Sequence, residues 1–217
     1  MIIGERGERE KGRKAYIWLK TIILWLDMVK EIIEILKILI GNKEETFSIR
    51  KLALLRKINY KSAYNALKTL EQEGIIDLKR VGNTVICSFN NKFNDLVFKA
   101  EYLRREDLFK KKEFLVMYED FVKFPFAFIV LLFGSQVKGT ANKHSDIDLL
   151  LICEEENVKK VRDKLSLLPY KTHLTHINYE GFARMVKSKE FTVVSEAVKK
   201  NIILVSIEEY YRLLKNA

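Results

Sequence analysis

Apolar residues recur along this chain with different periods, and each period predicts a different element. Residues 15–40 are dense in Trp, Ile and Leu, yet Lys20, Asp27, Lys30, Glu31, Glu34 and Lys37 interrupt them, mostly at separations of three, four or seven. That spacing sets a polar stripe along a helix opposite a broad apolar face. A membrane span needs roughly 20 consecutive apolar residues, and the longest strongly apolar uncharged piece is Thr21 to Leu26. The stripe mixes acid with base, unlike the Lys-rich face of a membrane-surface helix. The expectation is an amphipathic helix whose second half, from about Val29, opens the next domain and whose first half packs on a dimer mate. Lys20 and the lack of a small-residue cleavage site argue against a signal peptide. Met1 and Met28 both stand as natural starts.

From Phe47 the helical segments are shorter. Ser48 reads as the N-cap of a short helix with Leu52 and Leu55 inward, ending near Arg56. A turn follows at Lys57 to Asn59. Asn59 then caps a second helix to about Glu73, with Ala63, Leu67 and Leu70 inward, Gly74 as the left-handed stop, and Tyr60, Lys61, Tyr64, Asn65 and Lys68 outward. Two strands, Ile75 to Arg80 and Val85 to Phe89, flank Val81-Gly82-Asn83-Thr84, a tight Gly-Asn hairpin. Between Phe47 and Leu70 stand six basic residues, Arg50, Lys51, Arg56, Lys57, Lys61 and Lys68, and no acidic one, the one-sided charge that phosphate contacts require.

The run FSIRKLALLRKINYKSAYNALKTLEQEGIIDLKRVGNTVICSF resembles the winged helix-turn-helix family of DNA-binding domains, over about Val29 to Phe89. The resemblance implies that the helix from Tyr60 enters a major groove, with Lys79 and Arg80 near the wing touching phosphates. The DNA-contacting residues expected are Arg50, Lys51, Tyr60, Lys61, Tyr64, Asn65, Lys68, Lys79 and Arg80. Winged helices also serve as dimerisation or protein-docking units, and that reading stays open. Asn90 to Lys112, polar and strongly charged with Phe93, Leu96, Val97, Tyr102 and Leu103 at partly helical spacing, reads as a connecting helix.

Beyond Pro125 comes an unbroken apolar run, Phe126 to Phe133, typical of a strand buried on both faces. Gly134 and Ser135 follow, then a polar segment to Ser145, then Asp146-Ile147-Asp148 leading into the apolar Leu149 to Cys153. Residues two apart on a strand share a face and lie ~6–7 Å apart, so Asp146 and Asp148 present paired carboxylates while Ile147 enters the core. Paired carboxylates at a buried strand are costly unless cations neutralise them, and Mg2+, which prefers hard oxygens and substrate phosphates, suits them. Gly134 allows a phosphate chain close to the backbone, Ser135 offers a hydroxyl and an amide, and Lys138 further positive charge. A phosphate cradle beside two metal-binding acids is a phosphoryl-transfer site.

The stretch FGSQVKGTANKHSDIDLLLI resembles the signature of the DNA polymerase β nucleotidyltransferase superfamily, in detail its small minimal members. The resemblance implies a short mixed sheet with flanking helices. It also implies attack of an acceptor on the α-phosphate of a nucleoside triphosphate, ATP by expectation. Asp146 and Asp148 become the catalytic and metal-holding pair, and Gly134, Ser135, Lys138 and Ser145 the nucleotide-binding residues. Active members carry a third carboxylate on the next strand, whereas Lys171 to Asn178 contains no Asp or Glu. His173 or His176 is a substitute base, or simply a polar residue on a half-exposed strand. The closing elements expected are a helix from Val158 to Leu168, a strand near Lys171 to Asn178, helices to Asn201, a strand Ile202 to Ser206 and a last helix containing Glu208 to Leu214.

Composition narrows the partners. The net charge of +10 favours polyanions. Cys87 and Cys153, both in apolar runs, read as small buried hydrophobes with neither disulfide nor zinc site, as in a reducing cytoplasm. The expected fold class is α/β (α+β): an N-terminal winged helix-turn-helix and a C-terminal nucleotidyltransferase fold with a short mixed sheet. The divisions expected are 1–28 as an N-terminal helix or extension, 29–90, a connecting helix 91–112, and 113–217. Two functions follow. One is a magnesium-dependent nucleotidyltransferase acting on a protein, RNA or other nucleic-acid acceptor and localised by DNA, with no membrane partner and a homodimer through the N-terminal helix. The other is a non-catalytic, nucleotide-sensing DNA-binding regulator.

Overall fold

In the computed structural model, backbone is described for residues 3–142, 144–188 and 190–217, and side chains for all of these but 3–17, 21 and 24. Met1, one of the two candidate starts, lies outside the described residues. Helix α1 (Ile3–Gly41) runs without a break through Met28 and Val29, where a division was expected. Its C-terminal part buries Ile32, Ile33, Ile35, Leu36, Leu39 and Ile40. The polar stripe is not simply solvated. Glu31 and Glu34 both pair with Arg56, and Lys37 bridges Glu34 and Asp107, so charge ties α1 to two later helices. No described helix is long and apolar enough to cross a membrane.

After β1 (Phe47–Ser48) come α2 (Ile49–Arg56) and α3 (Tyr60–Gln72), then β2 (Ile76–Val81) and β3 (Thr84–Phe89). The caps fall where expected: Ser48 Oγ accepts from Lys51 N at 3.1 Å and Asn59 Oδ1 from Ser62 N at 2.8 Å. Leu55 does not face inward. Counting from Ile49, the buried positions are Ile49, Leu52 and Ala53, a 3-4 spacing that turns Leu54 and Leu55 to solvent. The three strands form an antiparallel sheet in the order β1-β3-β2, with a two-residue Gly82-Asn83 turn.

The expected connecting helix is shorter and much more buried than its charge suggested. In α4 (Asp95–Phe109), Glu101, Arg104 and Arg105 are all buried. Glu101 accepts from Arg104 Nη1 at 2.6 Å and from Tyr211 OH at 2.7 Å, and Arg104 Nη2 donates to Asn201 O at 2.6 Å. These bonds join the chain's two halves through a shared polar core.

The second half comprises α5 (Lys112–Phe121), β4 (Ile129–Phe133), the single turn α6 (Ser135–Lys138), β5 (Ile147–Ile152), α7 (Glu155–Ser166), β6 (Thr172–Ile177), α8 (Tyr179–Ser188), α9 (Val193–Lys199), β7 (Ile202–Val205) and α10 (Ile207–Asn216). The sheet order is β6-β5-β4-β7, with β5 and β6 parallel and the other pairs antiparallel, a mixed sheet. Its apolar strands serve two cores. Leu149, Leu151 and Cys153 pack with α5 and α7, while Leu150 and Ile152 pack with α8, α9 and α10. Cys87 and Cys153 are free and buried, and burial pushes their thiols up to about 12 and about 11.

Candidate active site

Antiparallel pairing of β4 with β5 sets Phe133 opposite Asp148, so the bend that follows β4 must pass the acidic end of β5. At that bend Gly134 has φ 69 and ψ −147, a conformation essentially restricted to glycine. The approach is close: a Cβ on Gly134 would collide with Asp148 Oδ2 and lie 2.9 Å from its Cγ. Both the backbone angle and the neighbouring carboxylate therefore exclude a side chain here. Next in chain, Ser135 opens α6, and its hydroxyl bonds to no other described residue.

Asp146 precedes β5 and Asp148 lies within it, on the same face as Leu150; both are partly exposed, with 36% and 27% of the side chain open to solvent. Lys171 Nζ stands 3.0 Å from Asp146 Oδ1, but not in hydrogen-bonding alignment. That oxygen is itself shielded from solvent and has no donor. His173, in register with Asp148 on the parallel neighbour β6, places Nδ1 3.6 Å from Asp148 Oδ1. Lys171 and His173 are 81% and 66% exposed, and such pairs are worth at most about 1 kcal/mol, so a stronger cation displaces them readily.

The remaining predicted residues are placed less simply. Lys138 pairs with Glu196 of α9. The Ser145 hydroxyl accepts from Asn142 N at 2.9 Å and so is committed to the turn before Asp146. His176 lies away from the acids: it meets the Cys153 carbonyl at 2.9 Å and Glu155 at 3.4 Å, at the far end of the sheet. Of the two candidate bases only His173 remains near the pair. Among the described residues no group of three or more His, Cys, Asp or Glu side chains is arranged to hold a metal ion. Two acids whose cationic neighbours, Lys171 and His173, are exposed side chains nevertheless suit a hard cation that completes its shell with substrate phosphates.

Residues 121–210 match the family model Polymerase beta, Nucleotidyltransferase. The matched segment runs from the end of α5 into α10 and contains Gly134, Ser135, Asp146 and Asp148, and the match supports a nucleotidyltransferase-type fold for that segment. No curated protein matches the chain. Among solved structures, "Structure of Lactococcus lactis ZitR, C30AH42A mutant in apo form" aligns at 18% identity over 71% of this chain and 94% of that one. Its TM-score of 0.28 is too low for the likeness to bear on fold or function.

Lys171 and Glu196 were not foreseen as neighbours of the site. Lys171 becomes adjacent to Asp146 only once β6 is known to run parallel to β5, where Ile147 N donates to Lys171 O at 2.9 Å. Glu196 meets Lys138 across 58 positions of sequence, with no local pattern to announce it.

On the N-terminal unit, Arg50, Lys51, Tyr60, Lys61, Tyr64, Asn65, Lys79 and Arg80 are exposed, Arg80 Nε donating to the Gly82 carbonyl at 3.1 Å. The rings of Tyr60 and Tyr64 stack, with centroids 6.5 Å apart. Lys68 is half-buried and bonded to Glu71 at 2.7 Å, Lys51 lies 3.9 Å from Glu45, and Arg56 is taken up by α1. Among the described residues no carboxylate pairs with Arg50, Lys61, Lys79 or Arg80.

Proposed function

We propose that the chain is a magnesium-dependent nucleotidyltransferase. It moves a nucleoside monophosphate from a nucleoside triphosphate, ATP by expectation, to a protein or nucleic-acid acceptor. The observation that carries this reading is the packing of the Asp148 carboxylate into the space a Cβ on Gly134 would fill, with Asp146 two residues before it at the same strand end. In that arrangement Gly134 admits the triphosphate to the backbone, Ser135 offers its unengaged hydroxyl and its amide, and Lys138 adds charge once it leaves Glu196. Ser145 holds the turn that presents Asp146. Asp146 and Asp148 would hold Mg2+, which when bound neutralises phosphate charge. The acceptor oxygen attacks the α-phosphorus, a new P–O bond forms, and the bond to pyrophosphate breaks; the acceptor's proton passes to a nearby base, for which Asp148 and His173 are the available groups.

Residues 29–90 are proposed as a winged helix that binds DNA, joined by 91–112 to a catalytic unit at 113–217. The supporting features are the exposed basic and aromatic residues of α3 and the exposed Lys79 and Arg80 beside the hairpin turn, neither in an ion pair with a described carboxylate. Residues 1–28 would pair two copies: Trp18, Leu19, Ile23, Trp25, Leu26 and Met28 are all exposed on one helix.

A second reading, a non-catalytic regulator that senses a nucleotide, is favoured by one observation: β6 offers His173, not an acid, at Asp148's register. Labelled triphosphates, Mg2+ and cell extract separate the two. The enzyme transfers label, and Asp146→Asn lowers the rate by about 10²–10³-fold, the scale of losing one preorganised electrostatic group. Absent transfer, with nucleotide binding intact and DNA affinity falling steeply with salt, establishes the regulator instead.

A further inference from the structure

A cleft at the junction of the two halves has no part in the reading above. It encloses about 590 Å³, within the range of small-molecule sites, and is lined by Lys43, Lys92 and Lys215 together with Phe93, Val198 and Leu214. These residues come from four places: the turn after α1, the segment before α4, α9, and the end of α10.

The cleft is cationic and apolar at once. Among the described residues, none of the three ammonium groups has a carboxylate in ion-pair contact. Lys43 is the most enclosed. Its Nζ lies 5.3 and 5.8 Å from the ring centroids of Tyr210 and Tyr211, and its one oxygen neighbour is the Val198 carbonyl at 3.5 Å, the outer limit of a hydrogen bond. Burial lowers its pKa to about 8. A desolvated cation with no carboxylate in contact, its nearest acidic influence being Glu101, which Arg104 and Tyr211 already engage, is costly, and an anion entering beside it lowers that cost. Beside the lysines and Asn91, the side chains of Phe93, Val186, Val198 and Leu214 line the cleft with hydrocarbon.

We propose that this cleft binds a small organic anion with an apolar body, its carboxylate or phosphate head among Lys43, Lys92 and Lys215 and its hydrocarbon against Phe93, Val198 and Leu214. Bound there, the anion touches both halves of the chain, and it stabilises their junction in proportion to its affinity.

The test is calorimetric titration and thermal unfolding of the full chain with four probes: octanoate, octyl phosphate, octanol and inorganic phosphate. At least one of the two amphipathic anions binds with sub-millimolar Kd and raises Tm, and their ratio identifies the head group. Octanol and inorganic phosphate bind at least about tenfold more weakly. Lys92→Glu, at the rim, weakens the anion by about tenfold without changing the fold, and Val198→Trp, which fills the cleft, abolishes binding. The proposal is overturned if octanol equals octanoate, if inorganic phosphate equals octyl phosphate, if neither anion binds the folded wild type, or if Lys92→Glu and Val198→Trp bind as the wild type does. None of these readings depends on nucleotidyl transfer, so failure here leaves the proposed activity untouched.

Discussion

Glu101 and Asp146 are both carboxylates set against the packed interior, and they are completed in opposite ways. Each oxygen of Glu101 has a donor, Arg104 at 2.6 Å and Tyr211 at 2.7 Å, and Arg104 is satisfied in turn by the Asn201 carbonyl. Even there the closure is not total, since Arg105 Nε and Asn201 Oδ1 lack partners; the Arg105 guanidinium instead lies over the rings of Tyr102 and Tyr118, at 4.9 and 4.8 Å. Asp146 has a shielded oxygen with no aligned hydrogen bond, its cationic neighbour being the exposed Lys171 at 3.0 Å. A polar cluster that closes on itself holds structure together, whereas one left open at an accessible edge is prepared for something that the chain does not contain.

The largest effect that would break this contrast is in stability. Glu101→Ala strands the Arg104 charge in the interior and is expected to destabilise by about 3–5 kcal/mol in urea unfolding. Asp146→Asn loses only the ion pair with the exposed Lys171 and is expected to shift stability by at most about 1 kcal/mol. Similar losses at both positions would make the sheet-edge acid as structural as the buried one.

Gly134→Ala tests the same edge from its other side. The backbone angle alone costs about 1–3 kcal/mol, and the added methyl must also push Asp148 aside. Gly139→Ala is the control, with φ 75 and nothing within 4 Å of the added carbon, so it carries the backbone cost only. Equilibrium unfolding and nucleotide titration of both variants should show binding lost in the first and kept in the second. Equal binding would mean that the Gly134–Asp148 contact is not part of the site.

Much of this was legible in the sequence, for a physical reason. Caps, hairpin turns and two-residue strand alternation are local, so Ser48, Asn59, Gly82 and the Asp146–Asp148 pair announced themselves. Leu55 misled because apolar identity was counted without the helix phase that Ile49 sets. The pattern of residues 90–112 gives a polar, charged connecting helix, but not that Glu101 and Arg104, three apart, neutralise each other inside the core, a fact that residue type alone cannot carry. Lys171 beside Asp146 and Glu196 beside Lys138 depend on strand order and helix placement, long-range properties without a local signature.

The smallest prediction concerns Lys43, the junction's charge without a carboxylate in contact. Burial is the main cause of its depressed pKa, about 8 against an ordinary 10.5; Glu101 opposes the shift, Arg104 adds to it, and the hydroxyl-bearing rings of Tyr210 and Tyr211 face it with their own pKa values raised by burial. For a lysine lowered on folding, the unfolded chain holds more protons between the two values. Stability therefore rises with pH as the folded group discharges near 8, and the gain continues until the unfolded group discharges near 10.5. Between pH 7 and 9 this amounts to about 1 kcal/mol, read as the difference between wild type and Lys43→Met so that other titrations cancel. A difference that stays flat over that range would show Lys43 to be solvated like any surface lysine. Saturating organic anion should flatten it too, because a bound negative head restores the lysine's ordinary pKa and keeps its proton in place.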